Sequence, residues 1–187
     1  LVTSDHPNIY KVFTFGREEN HDWVLMPIYK TSLYDMLREK EPIPPKRVLS
    51  IAKQLAAALQ YAHDRQIAHR DLKPDNVMFD DEGLKLIDFG IARSACQGEK
   101  TTTFLRGTGT RGFSPIEQYG NQQSTDQRSD IYALGATLYY LMTATLPPDA
   151  VERVSRRAVV VPLSQRCPDS PPELDSVVEK AMALAAE

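Results

Sequence analysis

Apolar residues divide the chain into a β-rich start and a longer body with helical periodicity. Two β-branched and aromatic runs, at 9–15 (IYKVFTF) and 23–28 (WVLMPI), flank the polar stretch GREENHD and predict a hairpin. Two shorter apolar runs, at 76–79 and 84–87, are joined by DDEG and predict a second hairpin, in which Gly83 adopts a positive φ. The pattern therefore predicts two small hairpins in an otherwise mainly helical chain.

Helical spacing of apolar residues recurs in four later segments. A short amphipathic helix is predicted at 32–40, a long one from the Pro44–Pro45 pair to about residue 64, and a hydrophobic one at 129–142. The sequence SPPE at 170–173 predicts a capping box that opens a last helix. The apolar face expected on this helix consists of Leu174, Val177, Val178, Ala181 and Met182.

Composition and charge argue against several classes of protein. The chain has 187 residues, of which 42% are hydrophobic, and this is enough to bury a core. The net charge of −3 indicates neither nucleic-acid binding nor contact with a membrane surface. Cys96 and Cys167 lack metal-ligand spacing, which disfavours a disulfide framework or structural zinc and favours a cytoplasmic location. The apolar stretch at 131–142 is shorter than the roughly 18 residues that cross a bilayer.

The strongest chemical signal is HRDLKPDN at 69–76, followed by DFG at 88–90. Together these motifs resemble the catalytic loop H-R-D-L-x-x-x-N and the metal-binding turn D-F-G of the protein kinase family. Phosphoryl transfer needs an oriented hydroxyl and metal ions that neutralise the charge of the phosphates. Two carboxylates and an amide, contributed by different points of the chain, meet this need.

The resemblance implies a role for each polar residue of these motifs. Asp71 is expected to orient the acceptor hydroxyl and accept its proton, and Lys73 to reach the transferred phosphate. Asn76 and Asp88 are expected to hold Mg²⁺ beside ATP. Lysine two positions after the catalytic aspartate is typical of serine/threonine kinases, because tyrosine kinases resemble D-L-A-A-R-N there. The implied partner is therefore a protein substrate with a Ser or Thr hydroxyl, and the implied cofactors are ATP and Mg²⁺.

Apolar residues near these motifs acquire expected roles from the same resemblance. Met26 matches the gatekeeper position, Ile28 lies in the segment that links the two kinase lobes, and Met78 falls under the adenine ring. Met78 could equally be a plain core residue. His69 is assigned to the core.

The turn after the second hairpin is also expected to be structural. Phe89 fits a buried stack with Val12, and Gly90 completes the D-F-G turn.

The segment 109–120 (GTRGFSPIEQYG) resembles the end of a kinase activation segment, in the bacterial form G-T-P-G-F-A-P-P-E-Q-Y. Thr110 stands at the position that contacts the catalytic aspartate. Glu117 retains the glutamate of A-P-E, although Ile116 replaces the usual proline. Asp130 opens a D-x-x-x-x-G match to the family's central helix and is expected to bond the catalytic-loop backbone. If the family resemblance is set aside, Asp130 is an acidic residue near a helix N-terminus, where the helix macrodipole favours negative charge.

The loop predicted at 93–112 suggests a regulatory hypothesis. Phosphate on one of its threonines would pair with Arg70 and order the loop. The alternative interpretation is a flexible, threonine-rich loop. The candidate positions are Thr101, Thr102, Thr103 and Thr108.

The sequence thus predicts an α+β, protein kinase-like fold with a mainly helical large lobe. Residues 1–29 are expected to be the remnant of the small lobe and hinge, and residues 30–187 the large lobe, truncated before its last helix. Glu117 is then expected to lack its usual arginine partner. His63 and the Arg156–Arg157 pair are expected to be solvated or structural.

The predicted function is a serine/threonine protein kinase, the fragment alone being nearly inactive. One alternative is a non-catalytic, kinase-like binding module. Another is a small-molecule phosphotransferase with H-G-D-x-H-x-x-N in the loop, which Arg70 and Lys73 disfavour. Dimerisation through the full-length chain is left open.

Overall fold

A computed structural model of the chain describes residues 5–19, 21–37, 41–89, 109–119 and 126–184. One antiparallel sheet pairs β1 (Thr14–Glu18) with β2 (His21–Leu25), and a second has the order β3 (Thr31–Ser32), β4 (Val77–Asp80), β5 (Gly83–Leu86). The helices are α1 (Leu33–Met36), α2 (Pro45–His63), α3 (Gln127–Thr143), α4 (Ala150–Val154), α5 (Leu163–Arg166) and α6 (Glu173–Ala181). Single 3₁₀ turns lie at Pro74–Asn76 and Ile116–Gln118. The predicted α+β class is confirmed.

The first hairpin exists, but its predicted position is wrong. The ladder runs from Thr14 opposite Leu25 to Glu18 opposite His21, so most of the expected polar turn is strand. The chain reverses next to Glu19, whose φ of 52° is left-handed. Ile9, predicted to be in the first strand, is buried and forms a parallel bridge with Leu86 of β5. Burial against the second sheet therefore removes the start of the predicted strand from the hairpin.

The second hairpin matches its prediction closely. The Asp80 carboxylate accepts hydrogen bonds from the backbone N–H groups of Glu82 (2.8 Å) and Gly83 (3.0 Å), which closes the turn. Gly83 has a φ of 120°, as the sequence predicts. This short, well-bonded turn fixes the spacing between the two strands that flank the candidate site.

Helices α2 and α3 contact each other and form the centre of the core. In α2 the buried residues recur at helical spacing, and Pro45 occupies its first turn as predicted. Most residues of α3 are buried, including both apolar and polar ones. Its Asp126 caps the N-terminus by accepting from the Arg128 N–H at 2.8 Å. Because α3 is buried on most sides, a polar group on it must find its partners inside the protein.

The last helix packs on α3, but not with the predicted cap or the full predicted face. Helix α6 begins at Glu173, after Pro172, without a side-chain cap, so the capping box expected at Ser170 is wrong. Ser170 stands too early in the chain, and its N–H instead bonds the Cys167 carbonyl. Val177 is about half exposed, whereas Val178 is buried. Close approach to α3 requires Gly135, because a Cβ there would lie 2.8 Å from the Cβ of Ala181.

The helix predicted at 32–40 has a described helical part of Leu33–Met36 only. It carries the capping box that this chain does form, between Ser32 and Asp35. Among the described residues, none of the helices is both long and apolar enough to cross a membrane.

Candidate active site

A buried carboxylate on α3 holds the loop that precedes β4. Asp130 is fully buried and accepts hydrogen bonds from the backbone N–H groups of His69 and Arg70, both at 2.7 Å. This is the contact that the sequence resemblance predicts. A buried charge requires such donors, because unpaired it would be far less stable than in water. The loop backbone is therefore fixed relative to the core helix.

His63, at the end of α2, supplies the third donor to this carboxylate. Its Nε2 lies 2.8 Å from Oδ2 of Asp130, and since a carboxylate only accepts, Nε2 carries the hydrogen. Gln127 of α3 donates to the His63 backbone carbonyl at 2.9 Å. Sequence reasoning assigned His63 no particular partner, because 67 positions separate it from Asp130. No local spacing could have revealed this contact.

His69 lies in the core, as predicted, and bridges two parts of the site. Its Nε2 donates to the Ile87 carbonyl at 2.8 Å, and its Nδ1 accepts from the Asp71 N–H at 3.3 Å. Both ring nitrogens are thus used by a neutral imidazole. Complete burial lowers the pKa of His69, although nearby Asp130 opposes the shift. The ring packs on Phe89, with 4.6 Å between centroids.

The Asp71 carboxylate is the point where three side chains meet. Thr110 Oγ1 donates to Oδ1 at 2.9 Å, and Lys73 Nζ lies 2.9 Å from Oδ2. Asn76 Nδ2 donates to the Asp71 backbone carbonyl at 2.7 Å and to Oδ2 at 3.2 Å. The side chain of Asp71 keeps 35% of its surface exposed. It is held in place by donors and still open to an incoming group.

Asp88 is tied to the same loop through its neighbour in the chain. The Ile87 N–H donates to the Asn76 carbonyl at 2.9 Å, which joins the end of β5 to the start of β4. Asp88 itself has a φ of 60°, a strained conformation for a residue with a Cβ. Backbone strain of this kind concentrates at functional sites.

Tyr10 is a further residue beside Asp88 that sequence reasoning missed. Its N–H donates to the Leu86 carbonyl at 3.1 Å. Burial, together with the negative charges of Asp88 and a neighbouring tyrosine, raises its pKa to about 12. Tyr10 therefore stands as a neutral side chain next to the expected metal-binding carboxylate.

The donor set of Asn76 and Asp88 suits a hard divalent cation. Both amide hydrogen bonds of Asn76 are directed at Asp71, so its Oδ1 is the atom that could face a cation. A carboxylate and an amide oxygen match the preference of Mg²⁺, which takes few protein ligands and fills its remaining positions with phosphate and water. In the described parts of the chain, no three or more His, Cys, Asp or Glu side chains cluster as a metal site.

The segment 109–119 is anchored to the site from several directions. The Thr110 N–H donates to Ser114 Oγ at 2.8 Å, and Gln118 donates to the Arg70 carbonyl at 2.9 Å. Glu117, expected to lack its arginine, accepts a hydrogen bond from Ser129 Oγ at 2.8 Å. A serine on α3 thus gives Glu117 a bonding partner that the sequence did not suggest.

For the remaining expected site residues, the structure gives the exposure of four, and five others lie outside the described parts of the chain. Met26 and Met78 are half-buried, whereas Ile28 is 97% exposed. The side chain of Arg70 is exposed next to Asp71. The residues that lie outside the described parts are Gly90, Thr101, Thr102, Thr103 and Thr108.

Comparison with known proteins agrees with this geometry. The family model of the protein kinase domain matches residues 1–185, and the chain belongs to the protein kinase family. It is 36% identical to serine/threonine-protein kinase PknB of Mycolicibacterium smegmatis over 96% of this chain and 30% of that protein. It is 32% identical to serine/threonine-protein kinase PrkC of Bacillus subtilis, over 96% of this chain and 28% of that protein.

Solved structures give the same fold. A crystal structure of the PknI kinase domain of Mycobacterium tuberculosis matches with a TM-score of 0.73 and 30% identity, covering 96% of this chain and 64% of that one. A second PknI structure gives a TM-score of 0.74 at 27% identity. The chain thus spans under a third of the two curated relatives described above and about two thirds of these solved kinase domains.

Substituting the buried carboxylate of α3 tests its role in holding the loop. Asp130→Asn should lower the free energy of unfolding by about 2–3 kcal/mol, because a neutral amide accepts fewer hydrogen bonds and turns its NH₂ toward the three donors. The matched control is Asp126→Asn on the same helix, which keeps a good cap and should change stability by less than about 0.5 kcal/mol. Urea unfolding measures both, and equal effects would contradict the assignment.

The buried imidazole predicts a pH dependence of stability. Because the pKa of His69 in the folded protein lies below the ordinary histidine value of 6.5, the unfolded chain binds more protons than the folded one as the pH falls below 6.5. The His69 contribution is therefore complete above pH 6.5 and declines below it. His69→Gln, which retains an N–H donor, should flatten this dependence in unfolding measurements from pH 7.5 to 5.5. His21→Gln, at an exposed position on β2, should retain the wild-type slope.

Proposed function

We propose that this chain is part of a serine/threonine protein kinase that transfers the γ-phosphate of ATP to a Ser or Thr hydroxyl of a protein. The observation that carries the proposal is the convergence of Thr110, Lys73 and Asn76 on Asp71. Two similar proteins, PknB and PrkC, are named serine/threonine-protein kinases, which supports the same activity. Members of this family use ATP and Mg²⁺.

Asp71 is proposed to act on the acceptor hydroxyl. A substrate hydroxyl that donates a hydrogen bond to this carboxylate has its oxygen lone pair directed at the γ-phosphorus. The new bond forms between that oxygen and phosphorus, and the bond from phosphorus to the β–γ bridging oxygen breaks. ADP leaves with the electron pair, and the hydroxyl proton moves to Asp71. The fixed loop backbone supports this role because it limits the movement of the base.

Lys73 is proposed to stabilise the transferred phosphoryl group. Its ammonium lies 2.9 Å from the Asp71 carboxylate, and therefore on the acceptor side of the proposed reaction, and the side chain is only 23% exposed. A cation in this position offsets the negative charge of the phosphoryl oxygens. The same lysine supports Ser/Thr over Tyr as the acceptor, since tyrosine kinases resemble D-L-A-A-R-N at this point.

Asn76 and Asp88 are proposed to hold Mg²⁺ on the phosphates of ATP. The metal, when bound, neutralises phosphate charge. Asn76 directly precedes β4 and Asp88 follows β5, and the Ile87–Asn76 backbone hydrogen bond joins these two ends of the hairpin. Met26, Ile28 and Met78 remain the proposed contacts of the adenine end. Because ATP is held inside cells, the proposed reaction places this domain in the cytoplasm.

Two alternative functions are less well supported. A non-catalytic binding module has no physical need to assemble two carboxylates, an amide and a lysine around one loop. A small-molecule phosphotransferase resembles H-G-D-x-H-x-x-N, whereas this loop carries Arg70 and Lys73. The protein kinase proposal uses all of these side chains.

Replacing the proposed base should abolish most phosphate transfer. In the full-length protein, Asp71→Asn should lower the rate of Mg²⁺-dependent phosphorylation of a protein substrate by about 100-fold or more, since it removes general-base catalysis. The control, Asp75→Asn, changes an exposed carboxylate in the same loop and should retain activity. Both variants should still bind nucleotide, and calorimetry measures this binding. Equal rates for Asp71→Asn and wild type would refute the role of Asp71.

Regulation by phosphate on the loop is a separate proposal. Arg70 is exposed and directly precedes Asp71 in the chain, and its guanidinium could form a charge-assisted pair with a phosphothreonine. Mass spectrometry of active protein should find phosphate on at least one of the four threonines between 101 and 108. An active protein without phosphate there would exclude this mode of regulation.

A further inference from the structure

One carboxylate connects the segment 109–119 to helix α4. Asp149 is buried, with 7% of its surface exposed, and its Oδ2 accepts a hydrogen bond from the Tyr119 hydroxyl. The same oxygen lies 3.4 Å from the Gly112 N–H, and Oδ1 caps α4 by accepting from the Val151 N–H at 2.9 Å. A single side chain therefore bonds two points of the segment and the first turn of the helix.

The backbone of the segment is shaped to lie against the chain before α4. Gly112 has a φ of +80°, and a Cβ there would lie 2.9 Å from Leu146 Cγ and from the Pro147 carbonyl oxygen. Arg111 adds an exposed ion pair with Glu152 of α4 at 3.2 Å, a weak contact in water. Glycine is required at 112 by both its φ and its close packing.

The other end of this segment reaches the proposed base, because Thr110 donates to Asp71. A protein substrate that placed its hydroxyl at Asp71 would lie beside Thr110, so its flanking residues would be close to positions 111–113. The position of residues 111–113 relative to Asp71 therefore depends on the contacts that hold the segment 109–119 against α4 and the chain before it. Asp149 holds the segment through its hydrogen bonds with Gly112 and Tyr119, which add to the contacts of Thr110, Glu117 and Gln118 described above.

We propose that Tyr119 and Asp149 are positioning residues that hold the segment 109–119 in the shape that binds the protein substrate. This inference rests on the proposed kinase function. The pair touches neither the proposed base nor the nucleotide residues, and its effect passes through the backbone of the segment. Its loss should weaken binding of the protein substrate more than it changes the chemical step.

The Tyr119 hydroxyl keeps its hydrogen at physiological pH. Burial, followed by the hydrogen bond to and the charge of Asp149, raises the pKa of the Tyr119 phenol far above its ordinary value. The phenol therefore remains a hydrogen-bond donor to Asp149.

Removing the hydroxyl tests the proposal in the full-length protein. Tyr119→Phe should raise KM for a peptide substrate by roughly fivefold to tenfold, because binding must then order the segment without this hydrogen bond. Its kcat and its KM for ATP should stay within about twofold of wild type. Tyr61→Phe is the matched control, since Tyr61 is half-buried on α2 and packs its ring under Arg65. An unchanged peptide KM, or a fall confined to kcat, would overturn the proposal.

A second variant separates the positioning role from the helix cap. Asp149→Asn keeps an acceptor for the Val151 N–H but weakens the bond from Tyr119, so it should reproduce the rise in peptide KM. Because both variants remove one interaction, the double variant should be no worse than the more affected single variant. Full additivity of the two effects would contradict a direct pair. This variant also serves if Tyr119→Phe fails to fold.

Hydrogen exchange gives a readout that does not depend on catalysis. Without ATP or peptide, Tyr119→Phe should speed amide exchange in 109–119 and leave exchange in β4 and β5 unchanged. If wild-type protein transfers no phosphate but exchange changes in this way, the proposed function fails and the positioning pair stands. If exchange in 109–119 is unaltered, the pair is refuted whatever the activity.

Discussion

The buried carboxylate of Asp130 is the interaction on which the rest of the site depends. It is placed on α3, the most buried helix, and is paired with two backbone N–H groups of the loop and with His63 of α2. An unpaired charge in this position would cost several kcal/mol, so the native loop conformation and the α2–α3 contact are required together. The loop backbone is held in one conformation because the buried carboxylate needs its two N–H donors.

A series of hydrogen bonds connects Asp130 to the polar residues of the site. His69 donates from its backbone to Asp130 and from its ring to the Ile87 carbonyl, and the Ile87 N–H donates to the Asn76 carbonyl. Asp71 then collects donors from its own loop and from Thr110. The result is a partly exposed cluster of polar side chains whose hydrogen bonds lead back to the buried Asp130.

Much of the fold could be predicted because local patterns carry it. The periodicity of α2, the hydrophobic run of α3 and the turn between the two apolar runs of the second hairpin appear directly in the sequence. The failures occurred where long-range burial overrides a local signal. Ile9 reads as a hairpin strand but pairs with β5, and Ser170 reads as a helix cap but lies before two prolines that precede α6. Strand and helix propensities of single residues do not indicate which distant segment a residue will pack against.

The sequence by itself determined which polar groups the proposed chemistry would use, because Asp71, Lys73, Asn76 and Asp88 lie in motifs that resemble those of protein kinases. Only the tertiary structure decided what holds those groups in place. His63 meets Asp130 across 67 positions, and Tyr119 meets Asp149 across 30. Contacts of this separation depend on how helices and loops pack, and a buried polar atom takes whichever donor the packing brings to it.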